Sequence, residues 1–373
     1  MGVPNQQGKP NQRSLMLEEI YEQPAAIQRT LDHYHDVGEL ARKLSPTFAH
    51  RERLVIAASG SSRNAALAGE IIIEDLCHLA VDVEYASEYL YRTTHSLLDP
   101  ALMVISQSGE TADTLAVLRQ GVKRGLSTLA ITNVPGSSMM CEAGIAMLTY
   151  AGKEAARPAT KSYTNQLVVL QLFSLAAAQI RGSSANLERA KECLARVPEL
   201  ARSRLPAWER EVNGVVLRFQ KAVAFMFLGR GIHFAIAREG ALKLKETAYR
   251  QAEAYPAGEV RHGPQALVNG QVPAVVIATH DPDDPDSVLR YTKTLEIMRE
   301  LRAKGGEVIA IVDEDDGDAQ KLASCTIAVP PGNEYSLAIL EVMPLQLLAC
   351  HFALNSGIDP DRPRHLSKAV MLE

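Results

Sequence analysis

Aromatic residues are scarce: the 373-residue chain has 7 Phe, 11 Tyr and 1 Trp. Its core must therefore be built from aliphatic side chains, which favours layered α/β packing over an aromatic-rich β-sandwich. Cysteine is also sparse, with five residues spread from Cys77 to Cys350 and no CxxC or Cys/His cluster. That pattern offers neither a disulfide framework nor a structural zinc site, and no metal or other cofactor is expected. Reduced thiols fit a cytoplasmic protein. No basic block accompanies the net charge of −5, which argues against nucleic acid as a partner. The polar N-terminus "MGVPNQQGKPNQRS" has no apolar signal core, and Gln6 occupies the position where a myristoylation signal needs Ser or Thr. The apolar run Leu167 to Ile180 is too short to span a bilayer and reads as a core helix.

Apolar strand-like runs alternate with helical patterns from Arg53 onward. "RLVIAAS", "VDVEYAS", "ALMVISQS", "STLAITN" and "IAMLTYA" read as five strands, most of them followed by a helical segment. This alternation implies a parallel sheet covered on both faces. The order then recurs. "AVAFMFLGRGIHFAIAREGALKLKE" answers "RLVIAASGSSRNAALAGEIIIED", "PAVVIATHDPDD" answers "ALMVISQSGETADT", and "GEVIAIVDEDD" answers "LSTLAITNVPG". Three matches in order, at a nearly constant offset, point to internal duplication. The expected organisation is a disordered tail over 1–14, an α/β half over 15–200, a second over 201–355, and a C-terminal segment over 356–373. The helical stretch 184–220 links the halves and is expected to pack between them.

In open parallel sheets, ligands lie beyond the carboxyl ends of the strands. Two Ser-rich turns fall there, "SGSS" and "SQSGET", each just before a helix. Free backbone N–H groups and neutral hydroxyls at a helix start suit an anion. Ser62, Ser106, Gln107, Ser108 and Thr111 are the candidates for ringing one phosphate. Neither GxGxxG nor GxxxxGK[ST] is present, so a monophosphate fits better than a nucleotide. Glu110 and Asp113 read as first-turn acids of the following helix, facing away from the anion.

The stretch "EGALKLKETAYRQAEAYPAGEVRHGP" holds a second constellation. Glu239, Lys243 and Glu246 share one helical face, either as a solvated salt-bridge stripe or as groups aimed into a cleft. Pro256, Gly258 and Gly263 then shape a loop that carries Glu259 and His262. The third constellation is the ending "DPDRPRHLSKAVMLE", whose prolines and apolar close make docking plausible for Lys368.

Together these stretches resemble the sugar isomerase (SIS) family, and within it the isomerase domains of glucosamine-6-phosphate synthases. "EEIYEQPAAIQRTL", "SQSGETADTL", "TNVPGSS", "EGALKLKE", "AEAYPAGEVRHGP" and "LSKAVMLE" carry the resemblance from Leu17 to Glu373. It implies two tandem SIS subdomains, each a flavodoxin-like parallel five-stranded sheet flanked by helices. It implies a sugar-phosphate clamp from Ser62, Ser106, Gln107, Ser108 and Thr111. Glu246 is then the base moving a proton between C1 and C2, with Lys243 as its helper. His262 is the ring-opening group lent across a homodimer, and Lys368 stands at the reactive carbon. The loop "KEAARPATKSYTNQ" departs from the family's Val-Ala-Ser-Thr-Lys by placing Arg157, Pro158 and Ala159 first. Glu154 and Arg157 are therefore read as a substrate-specificity loop. The chain opens Met1-Gly2, without the N-terminal cysteine of a glutaminase. The expectation is thus a phosphosugar isomerase or deaminase on glucosamine-6-phosphate and fructose-6-phosphate. An ammonia-dependent or partner-dependent synthase-type isomerase, a fructosamine-6-phosphate deglycase and a non-catalytic sugar-phosphate sensor are the alternatives.

Overall fold

The computed structural model describes residues 14–92, 100–183 and 186–368. The tail read over 1–14 therefore falls almost wholly outside it, as does the apolar close "AVMLE". Three helices come first: α1 (Leu15–Tyr21), α2 (Gln23–His33) and α3 (Val37–Phe48). Pro24 sits in the first turn of α2, where its missing N–H costs nothing. Strands β1 (Arg53–Ala58), β2 (Ala80–Tyr85), β3 (Ala101–Ser106), β4 (Thr128–Thr132) and β5 (Ile145–Leu148) follow, with helices α4 (Gly60–Cys77), α5 (Ala86–Tyr89), α6 (Ala112–Lys123) and α7 (Ser138–Glu142) between them. They form one parallel sheet in the order β2-β1-β3-β4-β5. Helix α8 (Lys161–Arg181) closes this half, and residues 161–178 are all buried, as expected of a helix without a polar face.

Helix α9 (Leu187–Phe219) runs on into the second half. Its buried residues Ala190, Leu194, Val197, Ala201, Leu205, Trp208 and Val212 recur every three or four positions, which makes one apolar stripe. The stripe packs on helices of both halves, and the Trp208 indole donates to the Ala328 carbonyl at 2.7 Å. The boundary read at 200/201 falls inside this continuous helix.

The second half has β6 (Ala224–Gly229), β7 (Gln251–Pro256), β8 (Ala274–Ala278), β9 (Val308–Asp313) and β10 (Cys325–Val329), with α10 (Ile232–Ala248), α11 (Pro285–Ala303), α12 (Gly317–Leu322) and α13 (Glu334–Asn355). Two 3₁₀ segments, Ala257–His262 and Pro264–Leu267, follow β7. The sheet order β7-β6-β8-β9-β10 repeats the first. The fold is thus α/β with two parallel five-stranded sheets, as the alternation implies.

The paired glycines have a packing reason. Gly60 and Gly231 turn out of β1 and β6 with φ of +55° and +53°. At Gly69 a Cβ would lie 2.9 Å from Leu170 of α8, and at Gly240 one would lie 2.8 Å from Leu345 of α13. The same close helix contact is therefore made twice. Helix α13 is long and apolar enough to cross a membrane, yet 89% of its most apolar window is buried inside the protein, so it serves as a core helix here. Helices α4 and α10 pack together and join the halves.

Candidate functional site

A cavity of about 250 Å³ opens at the carboxyl ends of β1 and β3. The turns after both strands line it, together with Arg157, Lys243, Glu246 and the segment Leu366–Lys368. Residues from five distant stretches of sequence thus share one space. Of the residues named from the sequence, Ser62, Ser106, Gln107, Ser108, Thr111, Arg157, Lys243, Glu246 and Lys368 line the cavity. Glu154 lies behind its wall, and His262 is not part of its lining.

The loop after β3 is tightly built. Ser106 Oγ lies 2.8 Å from Thr111 Oγ1 and accepts the Gly109 N–H at 3.2 Å. Ser108 Oγ accepts the Glu110 N–H at 3.1 Å. Gly109 has φ +68°, and a Cβ there would meet Ser137 Oγ at 2.2 Å, so no side chain fits. Ser59 and Thr111 are the N-cap residues of α4 and α6, but neither makes a side-chain capping bond. Helix ends whose hydroxyl caps are unused keep N–H groups free for a ligand. Ser62 is oriented by Gln166 of α8, which donates to its Oγ at 3.0 Å.

The acids in this loop differ from the sequence reading in one respect. Helix α6 begins at Ala112, so Glu110 precedes the helix rather than occupying its first turn. Its carboxylate accepts the Ser138 N–H at 2.7 Å, at the start of α7. Tertiary pairing outcompetes the local dipole here. Asp113 does lie in the first turn.

Across the cavity, α10 presents its charged row. Lys243 Nζ is 2.6 Å from Glu246, 3.4 Å from Glu239 and 3.1 Å from Ser61 Oγ. Lys243 is 1% exposed and Glu239 is fully buried, so the solvated-stripe reading is excluded. Burial alone would lower the lysine pKa, but Glu246 and Glu239 overcome it and keep the ammonium charged. Burial also raises Glu239, whose other oxygen accepts from Asn64 at 2.9 Å. Glu246 is the most exposed member of the row and, with Lys243, lines the cavity.

The C-terminal segment is held at several points. Lys368 Nζ donates to Glu154 and to the Ala156 carbonyl, each at 2.6 Å. Glu154 is buried and also accepts from the Thr160 N–H at 2.9 Å and the Ser162 hydroxyl at 2.7 Å, at the start of α8. Burial pushes its carboxyl up, but Lys368 and these donors outweigh it and hold the pKa below the usual range. The Arg157 N–H donates to the Asp361 carbonyl at 3.0 Å, and its guanidinium donates to the Pro363 carbonyl at 3.2 Å.

Two anchoring residues escape a reading of the sequence. Asp361 accepts the Leu15 and Met16 N–H groups at 2.9 and 2.8 Å, at the start of α1. Glu19 accepts from the Ala155 N–H and, at 3.3 Å, from the Ala156 N–H. Both partners are more than a hundred residues away in sequence, where no periodicity can point to them. His262 ends the first 3₁₀ segment and is exposed.

Comparison with known proteins agrees with this architecture. A family model described as SIS domain matches residues 47–176 and again 219–356. A glutamine–fructose-6-phosphate aminotransferase (isomerizing) of Chlorobaculum tepidum is 39% identical over 371 residues, covering 96% of this chain and 58% of that protein. The protein of that name from Gloeobacter violaceus is 40% identical over 367 residues, covering 97% of this chain and 59% of its own length. The chain thus spans less than two thirds of these relatives. Among solved structures, the C-terminal domain of the Francisella tularensis glucosamine-fructose-6-phosphate aminotransferase superposes with a TM-score of 0.85 at 35% identity, covering 95% of this chain and all of that one. A glucosamine-6-phosphate deaminase of Thermotoga maritima superposes at 0.73 with 25% identity, covering 96% of this chain and all of that one.

Proposed function

The chain belongs to the SIS domain family, and from that premise we propose that it is a phosphosugar isomerase acting on glucosamine-6-phosphate and fructose-6-phosphate, with release or uptake of ammonia. The observation that carries the reading is the single cavity that sets the hydroxyl-lined loop against the buried Lys243–Glu246 pair, with Lys368 at its rim. The names of the similar proteins support the same substrates.

In this reading the phosphate sits among Ser62, Ser106, Gln107, Ser108 and Thr111. The open-chain sugar then extends towards Glu246. The carboxylate removes the C2 proton of the aldehyde form, leaving an enolamine, and returns a proton to C1 to give the C2 imine. Water adds to that imine, and ammonia leaves as the C2 carbonyl forms. Lys243 orients Glu246 through their 2.6 Å ion pair. Lys368 offers positive charge to the oxygen that becomes negative during the transfer. Arg157 both lines the cavity and ties down the tail, so the altered loop acts on specificity through the position of Lys368. His262 is assigned to the cavity of a second copy, which makes the working unit a homodimer.

The test is to supply glucosamine-6-phosphate and measure free ammonia and fructose-6-phosphate. Glu246→Gln should lower turnover roughly 10²- to 10⁴-fold, the range for losing a general base. Wild-type turnover no faster than that of the variant refutes the reading. The similarity to aminotransferases favours a second version, in which the cavity works in the synthetic direction. Fructose-6-phosphate with ammonium, and then with glutamine, separates the two directions and the nitrogen source.

A further inference from the structure

A second cleft, of about 180 Å³, shares the Gly60 wall with the first but is lined by cations. Arg63 of α4 and Arg238 of α10 meet there around one phenol. The Arg63 guanidinium lies over the Tyr85 ring, 3.6 Å from its centroid. Arg238 donates to the Tyr85 hydroxyl at 3.3 Å and to Asn64 Oδ1 at 3.4 Å. Among the described residues neither guanidinium has a carboxylate within ion-pair distance, and the buried Arg63 Nε has no hydrogen-bond partner. Lys245 adds a third cation, offset by Glu253 at 3.5 Å.

This arrangement is costly as it stands. Burial, together with the nearby Arg238, lowers the Arg63 pKa against the weaker opposing pull of Glu70 and Glu84, neither of which reaches it as an ion pair. Arg63 also sits in the first turn of α4, where the helix dipole disfavours positive charge. Tyr85 meets the two guanidiniums with a ring face and a hydroxyl rather than a carboxylate. Like charges gathered in a half-enclosed cleft are relieved by an anion that both can reach, and planar guanidinium forks match phosphate oxygens.

We propose that this cleft is a second anion site, distinct from the hydroxyl-lined cavity, which binds the phosphate of a small phosphorylated molecule between Arg63 and Arg238. The non-phosphate part of the ligand rests on Ala241, Leu242 and Ala254, the aliphatic part of the lining. The site is linked to the catalytic row through Asn64, which accepts from Arg238 and donates to Glu239, the partner of Lys243.

Calorimetric titration of the full chain with inorganic phosphate tests this. Two phosphates should bind, only one of them displaced by fructose-6-phosphate. The double variant Arg63→Gln/Arg238→Gln should weaken the other roughly tenfold or more, as loss of both forks implies, while leaving the melting temperature within a few degrees. A single phosphate fully displaced by the sugar overturns the proposal. So does a second phosphate indifferent to the double variant. A variant that dissociates a dimer without changing phosphate binding also overturns it, because the arginines then serve a second copy of the chain. Crystals soaked in phosphate settle the matter even if the sugar is not a substrate: density between the two arginines supports the site, and density confined to the Ser106 loop refutes it.

Discussion

Glu19 is buried outside the cavity lining, yet it holds the backbone of the loop that meets Lys368. Burial, with a smaller push from Glu154, raises its carboxyl to about 7 from an ordinary 4.5. Between those two values the native state binds more protons than the unfolded chain, so this group's contribution to stability falls as pH rises. Above about 7 the native state carries the full cost of a buried charge. Glu19→Gln keeps an acceptor for the two loop N–H groups and removes that charge. The variant should therefore gain about 1 kcal/mol or more over wild type at pH 8, a rise of a few degrees in Tm, and almost nothing at pH 5. Equal effects at both pH values would rule out titration of Glu19 as the cause. The sequence showed Glu19 only as one acid among several in "EEIYEQP". Lys243 and Glu246 were more legible because helical spacing brings them together within a single turn. Their burial was not legible, since it depends on α4 and its Ser61 and Asn64 side chains closing over the row.

At the scale of elements, eight of the ten strands were readable because a buried parallel strand is a continuous apolar stretch, whereas the half-exposed edge strands β7 and β10 were not. Short helices such as α5, α7 and α12 were not, since four to six residues carry no periodicity. The C-terminal segment is the element whose placement mattered most, and proline content hinted only that it was stiff. Asp361 provides the missing geometry: its side chain binds the start of α1, and its carbonyl binds the Arg157 N–H. Asp361→Ala removes two hydrogen bonds to backbone N–H groups, each worth about 1 kcal/mol. The tail should then be cleaved several-fold faster in limited proteolysis, because its local opening becomes easier. Turnover of glucosamine-6-phosphate should drop about tenfold, the effect of ~1.4 kcal/mol lost in holding Lys368. Unchanged cleavage would show that Arg157 and Lys368 hold the tail without Asp361.

On the scale of the whole molecule, the fold is duplicated but the chemistry is not. Ser62 and its partner Gln166 have counterparts in His233 and Glu341, which sit at the start of α10 and within α13 and lie 3.0 Å apart. Burial would lower His233, yet Glu341 and Glu334 hold it protonated up to about 10. The turn after β8 carries Asp281, Asp283 and Asp284 where the turn after β3 carries hydroxyls. Arg189 meets Asp281 at 2.5 Å and Arg290 meets Glu334 at 2.7 Å, so the second sheet's carboxyl end is filled by its own ion pairs. That half instead lends α10 to the first half's cavity, and it carries His262 on a surface outside that cavity. In the proposed reading the ring-opening histidine comes from a second copy, and that requirement can be tested without a structure of the complex. His262→Ala and Glu246→Gln chains should each be nearly inactive alone. Co-expressed in equal amounts, half of the resulting dimers are hybrids, and one site in each hybrid has both groups. Activity should recover to roughly a quarter of wild type, as two-fold symmetry with random pairing requires. No recovery from verified hybrids would mean that each chain completes its own site, leaving the exposed His262 without a part in the reaction.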